Sequence, residues 1–152
     1  MVRSGQYDGS DAQALIAELQ REYIDRYGDP DATEVEPEEF GPPTGGFLVV
    51  YVDGLAVGCG GFRRLAHGVA EVKRMYVRRA WRGRGLASQL LGALEGSIAA
   101  AGYGEVRLMT GVAQPEAIAL YRTSGYLEID AGYGIYKDEA GARFFSKTLE
   151  FC

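Results

Sequence analysis

Residues 72–87 join a strand-like segment to an amphipathic helix through a basic turn that contains two glycines. After Val77 the chain passes through the turn Arg82–Gly85, and an apolar stripe then recurs at helical spacing. A helix start of this kind presents free backbone N–H groups and the positive end of the helix dipole. Glycine lets a ligand approach the backbone closely, and arginine adds charge-assisted hydrogen bonds. The segment therefore predicts a seat for a phosphate or pyrophosphate group; the alternative is a surface turn with solvated arginines.

The turn fits neither of the two common nucleotide-binding loops. It lacks the Gly-Lys-Ser/Thr sequence of a Walker A loop. It also lacks the third glycine of the dinucleotide fingerprint, because Ser88 occupies that position, and residues 78–82 separate it from the strand. A nicotinamide-binding oxidoreductase is therefore the weaker alternative. An RNA-binding Arg-Gly segment is disfavoured too, because the helical stripe that follows is regular.

The first third of the chain predicts one strand, one helix and a long acidic loop. A short strand falls within Val2–Tyr7, and apolar residues at helical spacing predict a helix over Asp11–Tyr27 that ends at Gly28. Ser10 and Gln13 have the spacing of a capping box at the start of that helix. The proline-rich segment 29–46 predicts a loop with one helical turn near Pro37.

The rest of the chain predicts an antiparallel meander, one parallel crossover and a closing pair of strands. A strong hairpin signal at Asp53-Gly54 and a second turn at 66–68 separate the three strands of the meander. The predicted strands are 47–52, 55–62, 69–77, 106–110, 126–136 and 142–151, with helices from Leu86 to about Gly102 and over Pro115–Ser124. The order predicts an α+β fold with a mixed, mostly antiparallel sheet, in a single domain over 1–152.

Composition excludes several other classes of protein. The chain has 152 residues, 47% of them hydrophobic, which suits one globular domain with its own core. The longest apolar run, Phe47–Val52, is too short to cross a bilayer, and no signal peptide is visible, so we expect no membrane contact and a cytoplasmic location. Two cysteines and one histidine make a metal site or a disulfide framework unexpected. The net charge of −5 disfavours nucleic acid as a partner.

The charge is distributed unevenly along the chain. Residues 1–45 carry three basic and eleven acidic side chains, whereas the remainder carries thirteen basic and ten acidic ones. Six of the 16 basic residues fall between Lys73 and Arg84. The sequence therefore places an acidic first third opposite a basic segment that is suited to an anion.

A second group of candidate residues lies on the helix 115–124 and just before it. Gln114, Ile118 and Tyr121 fall on one face, since positions seven apart nearly coincide around a helix. A tyrosine hydroxyl beside a cofactor can act as a general acid, although a tyrosine with a satisfied hydroxyl in the core fits the same spacing.

The order of these segments resembles the GNAT acetyltransferase superfamily. The resemblance rests on Glu71–Val77, on Arg82-x-x-Gly85-x-Ala87, and on Gln114–Tyr126 with its Leu120-Tyr121-x-x-x-Gly125-Tyr126 ending, and it covers roughly Phe47–Tyr126. It implies a sheet whose two central parallel strands splay apart to admit the co-substrate acetyl-CoA. It also implies an acceptor-side helix and acidic loop over 1–46, a cofactor-binding core over 47–126 and closing strands over 127–152.

The resemblance also implies roles for particular residues. Backbone groups of Met75, Tyr76 and Val77 would hold the acetyl-pantetheine arm, and one N–H there would polarise the thioester carbonyl. Tyr121 would protonate the leaving thiolate. Ala87 replaces the commoner glycine, and Gln114 stands where many relatives have asparagine at the cofactor arm. The pyrophosphate would bind the backbone N–H groups of Arg82, Gly83, Arg84, Gly85, Leu86 and Ala87.

The expected reaction is direct transfer of an acetyl group to a primary amine, with a small molecule or a peptide as acceptor. A lysine-like amine has a pKa of about 10.4, so a base, or a water chain to one, would help to deprotonate it. Glu71 is the first candidate, although a solvated charge on a strand face fits equally well; His67 suits a loop, and Cys59 suits packing. A homodimer is among the assemblies that the resemblance implies.

The acidic first third favours a cationic acceptor, with acidic surface for solubility as the alternative. Tyr23, Tyr27 and Tyr133 are candidates to line the acceptor pocket, with a place in the core as the alternative. The alternative from another class is a catalytically weak acyl-CoA-binding or regulatory module, which the presence of both Tyr121 and Glu71 disfavours.

Overall fold

The computed structural model describes residues 1–149, and these form one seven-stranded mixed sheet with three α-helices. Across the sheet the strands stand in the order β1-β2-β3-β4-β5-β7-β6. Within residues 1–149 no helix is long and apolar enough to cross a membrane. The elements are β1 (Val2–Ser4), α1 (Ser10–Tyr27), β2 (Gly46–Val52), β3 (Leu55–Ala66), β4 (Val69–Val77), α2 (Leu86–Ala100), β5 (Glu105–Gly111), α3 (Pro115–Thr123), β6 (Leu127–Ile129) and β7 (Ala142–Thr148). Short 3-10 helices span Pro37–Phe40, Arg79–Trp81 and Gly134–Tyr136.

The sheet confirms the predicted α+β architecture. Strands β1 to β4 form an antiparallel meander, β4 and β5 are parallel, and β7 pairs antiparallel with both β5 and β6. Helix α2 forms the crossover between the parallel strands β4 and β5, which need a connection of about a dozen or more residues.

Two hydrophobic clusters cover the two faces of the sheet. Alternate residues of β2 point to opposite sides, so Leu48 and Val50 join one cluster while Phe47 and Val49 join the other. The first cluster contains the apolar stripe of α2 together with residues of α3, and the second contains the buried face of α1. Hydrophobic side chains therefore pack against the sheet on both of its faces.

Two local predictions, the cap of α1 and the length of the strand after α3, are wrong. Gly9 is the N-cap of α1 and no side chain caps the helix, whereas the Gln13 side chain donates to the Tyr7 carbonyl oxygen; the capping box at Ser10 is therefore absent. The predicted strand Tyr126–Tyr136 is only the three-residue β6, because the chain leaves the sheet after Ile129 and forms a 3-10 turn at Gly134–Tyr136. The last part of the predicted strand Ala142–Phe151 lies outside the described residues.

Candidate active site

The parallel strands β4 and β5 separate and leave an open edge. They pair at Val69 to Glu71 with Glu105 to Arg107, and no β4–β5 pairing continues beyond that point in residues 1–149. Strand β5 nevertheless keeps its partner β7 as far as Gly111. The edge of β4 that faces β5 is therefore unpaired over residues 72–77. A cleft of about 620 Å³ opens there, and Met75, Tyr76 and Val77 line it.

A β-bulge re-aims β4 where it enters the cleft. Cys59 pairs with Tyr76 and Gly61 pairs with Lys73, so Arg74 and Met75 together face the single residue Gly60. Arg74 has a φ of 60°, a left-handed conformation that costs a residue with a side chain about 1–3 kcal/mol. The bulge breaks the regular alternation of backbone groups along the open edge. The direction of the strand and the orientation of its backbone hydrogen-bonding groups therefore change at the centre of the cleft.

The glycine turn leads from β4 into an uncapped helix start. Gly83 and Gly85 have a φ of 78°, which explains why glycine occupies both positions, and a Cβ added at either would meet nothing within 4 Å. Gly85 is the N-cap of α2, and no side chain bonds the first N–H groups of the helix. Gly83, Gly85, Leu86 and Ala87 all line the cleft. One end of the cleft thus combines free backbone donors with open space.

The arginines of this turn have partners of their own. The Arg82 guanidinium donates to the Val77 carbonyl oxygen at 2.8 Å and to Glu22 at 2.8 Å. Arg84 does not line the cleft and lies over the Trp81 ring, 4.7 Å from its centroid. Arg82 lines the cleft and its Nη1 atom bonds no described residue, so the predicted phosphate seat combines backbone N–H groups with one guanidinium group.

The acidic first third of the chain pairs with the basic residues of β4 and of the turn that follows it. Of the six basic residues between Lys73 and Arg84, all except Arg84 form ion pairs with carboxylates of α1 or of the loop after it. The acidic and basic parts of the sequence thus pair with each other within the folded protein. The pairs are Glu18 with Arg78, Glu22 with Arg79 and Arg82, and Asp31 with Lys73 and Arg74.

Asp31 anchors the loop to the bulge. One carboxylate oxygen, Oδ2, accepts from Lys73 Nζ at 3.0 Å and from an Arg74 guanidinium nitrogen at 2.6 Å, and all three side chains are at most 9% exposed. Burial alone would raise the pKa of Asp31, but Lys73, the Thr33 N–H and Arg74 together hold that pKa below its ordinary value. Asp31 is therefore ionised and holds the strained Arg74 in place.

Tyr121 is buried at the cleft wall. It is 7% exposed, and burial raises its pKa to about 12, so the hydroxyl carries its proton throughout the neutral range. Gln114 also lines the cleft. Its side-chain oxygen accepts from Tyr27 at 3.1 Å and from Thr110 at 3.3 Å. These two bonds leave its amide nitrogen to donate to another acceptor. Both residues therefore line the same cleft as the glycine turn.

Glu71 does not line the cleft. Its side chain is 7% exposed, lies opposite Arg63 on β3 and accepts from the Arg63 Nε atom at 3.0 Å. It borders instead a separate cavity of about 70 Å³, whose wall it shares with Tyr133. Any action of Glu71 on an acceptor in the cleft must therefore pass through intervening groups.

Two other side chains considered as reactive groups lie apart from the chemistry. Cys59 is buried, and burial raises the pKa of its thiol to about 12, so it is not a nucleophile at neutral pH. His67 stands in the exposed turn between β3 and β4. Of the three tyrosines predicted for the acceptor pocket, Tyr23 and Tyr27 line the cleft, whereas Tyr133 lines only the smaller cavity.

Sequence reasoning did not single out Asp31, Tyr136 or Glu139, which also line the cleft. The Tyr136 hydroxyl accepts the Ala32 N–H at 2.8 Å, so it ties the loop after α1 to the 3-10 turn before β7. A signal for Asp31 was present, since two adjacent basic residues inside a buried strand require a carboxylate from elsewhere. Tyr136 and Glu139 gave no comparable signal.

Known proteins share this fold and this sequence pattern. A family model for the acetyltransferase (GNAT) family matches residues 12–126. An IAA acetyltransferase of Azospirillum brasilense is 36% identical over 137 residues, which cover 89% of this chain and 88% of that protein. A structure from Klebsiella pneumoniae, described as an acyl-CoA N-acyltransferase, has a TM-score of 0.83 at 29% identity and covers 99% of this chain and 97% of its own. A GNAT family acetyltransferase from Elizabethkingia anophelis with acetyl-CoA bound has a TM-score of 0.72 at 15% identity, over 98% and 97% of the two chains.

Proposed function

The chain belongs to the GNAT family of acetyltransferases and uses acetyl-CoA as its co-substrate, and we propose that it transfers the acetyl group directly to a primary amine held in the cleft. One observation carries this proposal: the unpaired edge of β4 and the uncapped start of α2 line the same cleft. The first can bond an amide-containing arm, and the second can bond a pyrophosphate.

The backbone supplies most of the proposed contacts to acetyl-CoA. The N–H groups from Gly83 to Ala87 would take the pyrophosphate, since no neighbouring atom fills the space beside Gly83 and Gly85. Met75 to Val77 would pair with the pantetheine arm along the open edge of β4. The Gln114 amide nitrogen would add a donor on the opposite wall. Arg82 lines the cleft and would add a charge-assisted donor, whereas Arg84 does not line it.

The chemistry needs a polarised carbonyl and a proton for the leaving sulfur. A backbone N–H at the β4 bulge would stabilise the charge that develops on the thioester oxygen as the neutral amine attacks. As the C–S bond breaks, Tyr121 would protonate the thiolate, because its hydroxyl stays protonated up to about pH 12. Cys59 is buried and protonated, which favours direct transfer over an acyl-enzyme.

The proposed preference for a cationic acceptor rests on fewer acidic residues than the sequence suggested. Glu22, Asp31 and Glu116 line the cleft but pair with basic side chains of the protein. Asp29 and Glu139 line it without an ion pair to any described residue, so they alone support a preference for a cationic amine. Replacing both by their amides should raise KM for a diamine relative to a neutral-tailed monoamine.

The proposal is tested by following thiol release from acetyl-CoA with a panel of amines. The panel contains diamines, amino sugars, amino acids and a lysine peptide, and mass spectrometry identifies each product. We expect amine-dependent release, a product that is 42 Da heavier than the acceptor by the chemistry of acetylation, and no acetyl group retained on the protein. Binding of acetyl-CoA with no acetylation of any amine would instead indicate a CoA-binding module.

A further inference from the structure

Lys73 and Arg74 are neighbours in sequence, yet their side chains meet at one point of the cleft wall. In a regular strand, successive side chains point to opposite faces of the sheet. The left-handed φ of 60° at Arg74 breaks that alternation, and both side chains reach Oδ2 of Asp31. All three residues line the cleft. The β-bulge therefore brings two positive charges to one carboxylate.

This cluster carries one positive charge in excess. Among residues 1–149, Asp31 is the only carboxylate within ion-pairing distance of Lys73 or Arg74. Glu71 borders the small cavity together with Lys73, but it is paired with Arg63. The three side chains of the cluster are at most 9% exposed, so water screens the excess charge poorly. An anion bound beside them would balance that charge.

Donors for such an anion remain in the same place. The Lys73 ammonium has three N–H donors, and two of them are directed at Asp31 at 3.0 Å and at the Thr33 hydroxyl at 3.4 Å. The Arg74 guanidinium shares the same carboxylate, and its buried Nε atom bonds no group in the described part of the chain. One ammonium hydrogen is thus left for a ligand, beside a guanidinium whose charge is only partly balanced.

The cluster lies close to the atoms that would react. Arg74 directly precedes Met75, whose backbone would hold the acetyl-pantetheine arm. Burial raises the pKa of Tyr23 above its ordinary value, and the nearby Asp31 and Tyr121 raise it further. The Arg74 guanidinium opposes them. Because such effects weaken with distance, the Tyr23 hydroxyl lies near all three groups, and the cluster borders the space beside Tyr121.

We propose that the acceptor is an amine that also bears a carboxylate, an amino acid, and that this carboxylate binds in the cleft beside Lys73 and Arg74. Its single negative charge matches the single positive charge in excess, and one of its oxygens accepts the free Lys73 hydrogen. An amino acid also carries an ammonium group before it reacts, which agrees with the role given to Asp29 and Glu139. The inference rests on the transfer to an amine proposed above.

The test compares each common amino acid with its carboxamide, which has nearly the same shape and no negative charge. Thiol release from acetyl-CoA is followed for wild type and for Lys73→Met, which leaves Asp31 and Arg74 as a balanced pair. For the amino acid with the highest kcat/KM, we expect Lys73→Met to lower the acid-to-amide ratio of kcat/KM by at least about tenfold, as for a hydrogen bond between charged groups. Comparing this ratio between the two proteins cancels the difference in amine pKa between acid and amide.

Lys147→Met is the matched control, because Lys147 is a partly buried lysine that pairs with Glu95 at 2.9 Å and does not line the cleft. It should keep the wild-type ratio. An equal loss for acid and amide in Lys73→Met would overturn the carboxylate site. Acetylation of other amines but of no amino acid would also overturn it and leave acetyl transfer intact, whereas inactivity on every amine would overturn the transfer itself.

Isothermal titration into wild type with CoA bound gives a readout that needs neither turnover nor a variant. The amino acid should bind at least about tenfold more tightly than its carboxamide, since only the acid balances the charge of the cluster. Equal affinities of acid and amide would refute the site.

Discussion

Arg74 is the residue at which β4 stops being an ordinary strand. A left-handed φ is rare for a residue with a side chain, and the surroundings must hold it in place. The Arg74 guanidinium donates to Asp31 and to the Thr33 carbonyl oxygen. The Cys59 thiol donates to the Arg74 carbonyl oxygen at 3.4 Å. These contacts offset the strain and keep the bulge at the point where the acetyl group would be activated.

At the same scale, Tyr121→Phe should lower kcat about 10²-fold with little change in KM for acetyl-CoA. The substitution removes a proton donor that is needed only as the C–S bond breaks, and it keeps the ring that packs in the core. Because the pKa of Tyr121 is about 12, its ionisation should cause no loss of wild-type kcat below about pH 10. An unchanged kcat in steady-state thiol release would remove Tyr121 from the mechanism.

Gly85→Glu should abolish most of the affinity for acetyl-CoA. A side chain is strained at a φ of 78°, and a carboxylate beside the helix start repels the pyrophosphate. Gly92→Glu is the control, since Gly92 lies within the same helix, is exposed and has open space around it. Isothermal titration should give wild-type affinity for the control and at least a tenfold loss for Gly85→Glu. Equal affinities in two folded variants would place the pyrophosphate elsewhere.

At the scale of elements, the loop after α1 is fixed to β4 through Asp31. Asp31→Asn leaves Lys73 and Arg74 buried without a carboxylate, which should cost about 3 kcal/mol of unfolding free energy at pH 7. The lowered pKa of Asp31 means that its contribution is present above the unfolded pKa of about 3.9 and disappears as pH falls through the folded value. The difference between variant and wild type should therefore shrink below about pH 4.

Urea unfolding at pH 7 and at pH 3 measures this difference, with Asp29→Asn as the control because Asp29 is exposed and has no described ion pair. A gap between Asp31→Asn and wild type that is the same at both pH values would contradict the role given to the ionised carboxylate.

Elements that depend on local sequence were predictable. The turn at Asp53-Gly54 has positive φ at both residues, Gly28 ends α1 in the left-handed region, and Pro115 opens α3, each as its residue type favours. The length of β6 was not, because Tyr126–Tyr136 has strand-forming residues but no partner strand beyond Ile129. Ser10 failed as a cap because Gly9 takes that position one residue earlier.

The site was predictable where backbone determines it and less so where partners come from far along the chain. The glycine turn and Tyr121 carry their signal locally. The partner of Arg82 is Glu22, sixty residues earlier, and the separation of β4 from β5 depends on pairing that no window of sequence contains. Glu71 was placed near the reaction by its position on β4, but alternation along the strand and its pairing opposite Arg63 put it behind the wall of the cleft.

At the scale of the whole molecule, opposite charges in two parts of the chain meet at the cleft. Helix α1 and its loop supply carboxylates, and the segment from Lys73 to Arg82 supplies their basic partners. The ion pairs hold α1 and its loop against β4 and the turn that follows it. The net charge of −5 is thus compatible with an anionic co-substrate, because on the proposal above that co-substrate would meet local donors at the glycine turn rather than the overall field.

The measurement that tests the central claim most directly is thermal unfolding with acetyl-CoA, CoA or NADH, for wild type and for Gly85→Glu. A ligand at a hundred times its Kd adds about 2.7 kcal/mol, and each kcal/mol raises Tm by about 2–4 °C in a chain of this size. We predict a rise of several degrees for wild type with acetyl-CoA and with CoA, no rise with NADH, and no rise for Gly85→Glu. An equal rise for wild type and Gly85→Glu would contradict the assignment of the cofactor to this turn, and no rise for wild type at millimolar acetyl-CoA would contradict the whole account.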